Sequence, residues 1–217
     1  MFYEAVRLSS AWIRDVTGTT KAGKRTPSAD VERSLVDAAV AVLERDGPAA
    51  LTVRAVAAEA GVAPMGVYNH LGGKDGLVAA VLIRGFDGLT AGMTAVAGLA
   101  PDRRMRECGR AYRRFALENP AVYTLMFGSA KADGSADVVE HAEAAFGALV
   151  GAVVATQQAG LVMVGEPFDL AMRIWSAVHG AMSLELAGSG PPNDDSAGTY
   201  ERIVDMIEAG LAPQARL

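Results

Sequence analysis

Between residues 51 and 77 the chain reads LTVRAVAAEAGVAPMGVYNHLGGKDGL, and no other stretch restricts the fold as tightly. Thr52 leads a short helix with Val53, Val56 and Ala57 on one face. Gly61 follows where the chain must turn sharply, in the left-handed conformation that glycine adopts without a Cβ clash. Pro64 then fits the first turn of a second helix, where its missing N–H would have had no partner. Val62, Val67 and Leu71 point back at the first helix and leave Met65, Gly66, Tyr68, Asn69 and His70 outside. Two short helices folded over one tight turn, with polar side chains free on the second, form a helix-turn-helix, whose second helix lies in the major groove of DNA. A longer segment opens near Lys74.

The rest of the chain repeats the helical period and never the strand alternation. Ser28 precedes an apolar stripe at Val31, Leu35, Ala39 and Val42 that ends at Gly47–Pro48. The helix from Lys74 carries Val78, Leu82, Leu89, Met93 and Val96, weakened by Gly85, Gly88 and Gly92. Pro101 opens a helix with Met105, Cys108, Tyr112 and Phe115, broken at Asn119–Pro120. A short apolar helix spans 122–127, and a long one carries Val138, Ala142, Ala145, Leu149 and Val153. Two more cover 168–187 and 197–211, separated by a loop at 188–196 that is expected to be mobile. The fold expected is all-α, with about nine helices. A three-helix DNA-binding unit at 28–75 precedes a larger helical body at 76–217.

Charge and composition narrow the function. The net charge is −5, which sits poorly with a polyanionic partner, but residues 1–27 hold five cations against two acids. The polar run 19–27, with Lys21, Lys24 and Arg25, reads as a basic arm for the phosphate backbone or a minor groove, as a solvated tail, or as part of an extra helix. Glu4, Arg7, Arg14 and Asp15 interrupt any signal-peptide core, and no run of eighteen apolar residues suggests a membrane span. One cysteine, Cys108, excludes an internal disulfide and suits the cytoplasm; on an apolar stripe it is expected to be buried and inert. His70, His141 and His179 lack a Glu three residues before them, so the paired Glu-x-x-His di-metal pattern of helical enzymes is missing. No metal, cofactor or catalytic residue is implied, and a regulator is expected rather than an enzyme.

The segment 28–82 resembles the DNA-binding domain of TetR-family transcriptional regulators. The likeness lies in the ordered run of a first helix, a Thr-led helix, the Ala60–Gly61–Val62 turn, Val67–Tyr68–Asn69–His70, and a Lys-Asp-Gly-Leu step at Lys74–Leu77. Departures are Ala63 where the family usually caps the recognition helix with Ser or Thr, Leu71 for Phe, and Gly72–Gly73 for a stiffer pair. A missing cap costs a helix about 1 kcal/mol, and the glycine pair should let the joint flex. Met65 and Gly66 offer base edges no hydrogen bond. Trp175, His179 and Gly180 are similar to the Trp…His-Gly pattern of one TetR C-terminal class, as is the run Tyr112…Phe115–Ala116…Asn119–Pro120…Tyr123…Leu125–Met126–Phe127. The resemblance implies a homodimer that binds a palindromic operator through Thr52, Val53, Pro64, Met65, Gly66, Tyr68, Asn69, His70 and Lys74, which Lys24 and Arg25 of the basic arm are expected to join. It also implies a small-molecule effector that weakens DNA binding, with repression the commoner mode. A DNA-binding adaptor governed by a protein partner is the alternative.

The segment 168–187 is apolar on two sides. Phe168, Met172, Trp175, His179, Met182 and Leu186 share one face, and Leu170, Ile174, Ala177, Ala181 and Leu184 the other. Met172, Trp175, His179 and Met182 of the first face, with Tyr112, Phe115, Tyr123, Met126 and Phe146, are expected to line an effector cavity that has a few polar handles. The second face, with Tyr200, Ile203, Val204, Ile207 and Leu211, is expected to meet a second copy in a four-helix bundle.

Overall fold

Proline and short-range capping set most of the helix starts. In a computed structural model that describes residues 28–128, 135–190 and 195–213, nine α-helices follow in order. They are α1 (Ser28–Asp46), α2 (Val53–Glu59), α3 (Pro64–Leu71), α4 (Lys74–Thr94), α5 (Pro101–Glu118), α6 (Pro120–Phe127), α7 (Ala136–Gln158), α8 (Pro167–Leu186) and α9 (Ser196–Leu211). One 3-10 turn, Pro48–Ala50, precedes α2, and no strand occurs among the described residues. Helices α3, α5, α6 and α8 each open on proline, which is preorganised for a first helical turn. The all-α expectation holds. The arm with Lys24 and Arg25 lies outside the described residues, as does part of the 188–196 loop.

Helices α1 to α3 form the head. Leu35, Ala38, Ala39, Val42 and Leu43 of α1 bury against Val56 and Ala57 of α2 and Val67 and Leu71 of α3. Thr52 caps α2, its Oγ1 accepting from the Ala55 N–H at 3.2 Å. The turn closes where the Val62 N–H donates to the Ala57 carbonyl at 2.9 Å and the Gly61 N–H to Ala58 at 3.2 Å. That pairing satisfies two carbonyls that the end of α2 would otherwise orphan. Helix α3 starts at Ala63 with no side-chain cap, as expected from its composition.

Helix α4 leaves the head and runs into the body, burying Leu77, Val81, Leu82, Phe86, Leu89 and Met93. It packs on α1 and α3 at one end and on α5, α6 and α7 along its length. By length and composition α4 and α7 are apolar enough to cross a membrane, against the expectation from apolar runs. Their stripes instead meet each other, and this pairing is the most extensive among the described helices.

One glycine sets how closely α4 approaches α6. A Cβ at Gly85 would lie 2.6 Å from Met126 Sδ and 2.8 Å from Val122 Cγ1, so a larger residue requires these two side chains of α6 to shift. Helix α6 in turn packs on α1. It therefore touches the head directly as well as through α4.

Helix α9 closes the body against α8, and three arginines of α5 reach across to acids on these two helices. Arg110 donates from Nε and Nη2 to Glu201 at 2.9 and 2.8 Å, and Arg106 bonds Asp205 at 2.7 Å and also Glu208. Arg113 reaches Glu185 of α8 at 3.1 and 2.5 Å. Beneath this clasp the buried Tyr200 hydroxyl donates to the Gly109 carbonyl at 2.7 Å.

The tight α4–α6 crossing makes a prediction. Gly85→Val should destabilise the chain by about 1–3 kcal/mol, the usual cost of overpacking a filled core. Thermal melting should show a transition lowered by several degrees. An unchanged midpoint would mean that the crossing has slack.

Candidate nucleic-acid interface and ligand cavity

The outer face of α3 is built by what its inner face buries. With Val67 and Leu71 committed to the core, Pro64, Met65, Tyr68 and Asn69 stand exposed, Met65 at 64% and Tyr68 at 54%. Gly66 sits over Val62 and adds no side chain. His70 is only half free, with its Nδ1 3.4 Å from Ser28 Oγ, so it ties the end of α3 to the start of α1. Val53 is half-buried on the head core. Thr52 is exposed, and its hydroxyl keeps a proton to donate while its oxygen caps α2. Lys74 is exposed at the first position of α4. Between them, Gly72 and Gly73 both take positive φ, and the Tyr68 ring lies against Gly73, where a Cβ would stand 3.1 Å from Cε1. Thr52, Tyr68, Asn69 and Lys74 are thus all exposed on this part of the chain. Arg54, exposed in the first turn of α2, is a cation there that the apolar periodicity did not single out.

The body contains a cavity of about 180 Å³ between α4, α5, α7 and α8. Of the nine residues expected to line it, Tyr112, Phe146, Met172 and Trp175 do so. The other five do not. Phe115 faces Gly88 on α4, Met126 fills the space at Gly85, and Met182 is fully buried further along α8. Tyr123 and His179 stand behind the wall in a polar cluster. On α8 the lining runs through Phe168, Met172, Ile174, Trp175 and Val178, and the cavity ends before Met182. The wall is completed by residues the sequence showed only as stripes, Leu89 and Met93 of α4 and Ala142, Ala145 and Leu149 of α7, and by Phe86, which it did not single out. Phe127 of α6 also reaches it.

Behind that wall the polar groups satisfy one another. The hydroxyls of Tyr112 and Tyr123 lie 3.0 Å apart, and His179 Nδ1 is 2.9 Å from the first and 2.7 Å from the second. Trp175 stacks on His179, with centroids 5.0 Å apart and planes at 28°. Burial pushes the His179 pKa below its ordinary value, and burial raises both tyrosines. The ring is therefore held neutral, with Nε2 toward Ser183 Oγ at 3.5 Å and Nδ1 accepting from a tyrosine. Cys108 also lines the cavity; burial pushes its thiol up to about 12, which keeps it protonated and unreactive.

The outward faces of α8 and α9 are narrower than the sequence suggests. Leu170 and Ile174 are buried within the chain, as are Tyr200, Val204 and Leu211. The core stripe of α8 runs through Leu170, Ala171, Ile174, Val178 and Met182, because α9 packs on α8 inside the same chain and absorbs that surface. What remains outward is Leu184 at 61% and Met206 at 62%, flanked by the half-buried Ala177, Ala181, Ile203 and Ile207.

A helix-turn-helix head on a larger helical body with an apolar cavity is the architecture of a DNA-binding transcriptional regulator. Two family models match in that order: "Bacterial regulatory proteins, tetR family" over residues 35–81, and "Tetracyclin repressor-like, C-terminal domain" over residues 105–207. An HTH-type transcriptional regulator of Mycobacterium tuberculosis, Rv0681, is 32% identical over 201 residues that cover 89% of each chain. A solved structure of a Rhodococcus sp. RHA1 protein of unknown function is 28% identical, with a TM-score of 0.75 over 84% of this chain and 95% of that one. The SmeT–triclosan complex shares the fold at 19% identity, with a TM-score of 0.64 over 84% of this chain and 92% of that one. The chain belongs to the TetR family of transcriptional regulators.

Two predictions arise from these sites. Lys74→Ala should weaken binding to all DNA sequences alike and make the plot of log affinity against log salt shallower by about 0.9, the release of one phosphate contact. An unchanged slope would remove Lys74 from the footprint. The second concerns pH. Because the folded His179 pKa is lowered, the unfolded chain takes up a proton that the fold resists. Stability from His179 is complete above about pH 6.5, declines as pH falls below it, and levels off under the folded pKa. Denaturant melts from pH 7.5 to 5 should show that decline lessened in His179→Gln; parallel profiles would refute the assignment.

Proposed function

We propose that this regulator is a homodimeric repressor that binds a palindromic operator and is released by a small apolar or aromatic effector. Residues 28–75 form its DNA-reading unit and residues 76–217 its effector and dimerisation unit. The observation that carries the reading is the position of α6. Phe127 of α6 reaches the cavity, Val122 and Met126 lock onto α4 at Gly85, and the same helix packs on α1 of the head. A molecule that displaces Phe127 therefore pushes on the element that sets the position of the head. SmeT, which shares the fold, forms a complex with triclosan, and this supports a small-molecule effector.

On the DNA side, Tyr68 and Asn69 meet base edges or phosphates, Met65 offers an apolar contact to a thymine methyl, and Thr52, Arg54 and Lys74 hold the backbone. On the dimer side, Leu184 and Met206 with Ala177, Ala181, Ile203 and Ile207 meet their symmetry mates, which sets the two α3 helices roughly 34–36 Å apart. Dimerisation through this patch also covers apolar side chains that soluble monomers do not normally leave clustered in water.

The test joins three measurements on the full chain. Selection from a genomic DNA pool should return a two-fold symmetric site. Sedimentation should give a dimer that Leu184→Arg splits, with operator affinity falling at least tenfold. Small aromatic compounds should lower operator affinity by about 5–150-fold, the usual range of allosteric coupling, and Trp175→Ala should blunt that response. A native monomer that binds a palindrome tightly, or a Trp175→Ala protein with intact regulation, would overturn the corresponding part.

A further inference from the structure

We infer that the cavity takes an organic cation, a single-ring amine or quaternary ammonium whose charge is met by Glu143. The inference rests on the effector reading above and specifies its chemistry. Size comes first. The cavity holds about 180 Å³, close to the ~150 Å³ apolar void that accommodates benzene and below the ~300 Å³ at which drug-sized sites begin. One aromatic ring with a compact substituent fills it.

Charge comes second. Among the described lining residues Glu143 of α7 is the one charged side chain. It is half-buried and makes no hydrogen bond or ion pair among the described residues. Three arginines of α5 are engaged elsewhere, Arg106 and Arg110 with α9 and Arg113 with Glu185. A cation in the cavity would compensate this charge, and an anion would be repelled by it.

The rings supply the third argument. Phe146 follows Glu143 by three residues, so the two side chains lie on one face of α7. Phe146 meets Phe168 at 5.1 Å and 62° and Trp175 at 6.3 Å and 82°. Such edge-to-face sets present ring faces, whose negative quadrupole attracts ammonium groups. A polar neutral ligand finds little else to bond. The Tyr112 hydroxyl is already spent on Tyr123 and His179.

Calorimetry on the full-length protein with three probes of similar size tests this: phenyltrimethylammonium, its neutral isostere tert-butylbenzene, and benzoate. The cation should bind at least tenfold more tightly than the isostere, and benzoate most weakly. Glu143→Gln should lower cation affinity about tenfold, leave the isostere unchanged, and melt like the native protein. If the isostere or benzoate binds as tightly as the cation, or Glu143→Gln leaves the ratio unchanged, the charge assignment is overturned while the cavity reading stands. If no probe binds at millimolar concentration, both fall.

Discussion

The packing of α4 against α7 and α6 is the contact on which the rest of the structure depends. Helix α4 is a single rod of twenty-one residues, and its two ends belong to different parts of the molecule. Leu77 and Val81 complete the core under the head, while Phe86, Leu89 and Met93 form one wall of the cavity. Rigid helices transmit displacement along their axes because their hydrogen bonds are internal. The same helix therefore belongs both to the core under the head and to the cavity wall. Gly85 brings α6 close enough for Met126 and Val122 to interlock with α4.

Around that rod the chain separates polar from apolar burial. Tyr112, Tyr123 and His179 satisfy one another, which lets three polar side chains sit beside an apolar cavity without opening it to water. The α5 arginines are treated in the opposite way. They lie at the edge of the body, where solvent screens them, and their acids come from two different helices. Individually such pairs contribute little, but the array fixes the rotation of α9, with Tyr200 anchored to the Gly109 carbonyl beneath it.

That rotation explains the largest difference between the sequence and the fold. The stripe Tyr200, Val204 and Leu211 looks free in the sequence because α9 is amphipathic and its partner is unspecified. In the fold its own α8 is the partner, and the outward patch contracts to Leu184, Met206 and their small neighbours. The cavity shows the same effect. Tyr112, Phe146, Met172 and Trp175 were legible from residue type and family likeness, but Phe86, Leu89, Ala142 and Leu149 were not. They look like any core stripe until two helices fail to close completely between them.

The sequence by itself determined the helices, their order, and the head. Prolines, the Thr52 cap and the Gly61 turn act over a few residues, so their consequences can be read without knowing what lies across the fold. The exposed set on α3 followed for the same reason, since burying Val67 and Leu71 leaves Met65, Tyr68 and Asn69 outside. Only the tertiary structure decided which apolar stripes face each other, which α8 residues reach the cavity, and that Glu143 is the charged side chain among its described lining residues. Those outcomes depend on contacts between residues distant in the chain. Hydrophobic periodicity states that a face must be buried; it carries no information about which partner buries it.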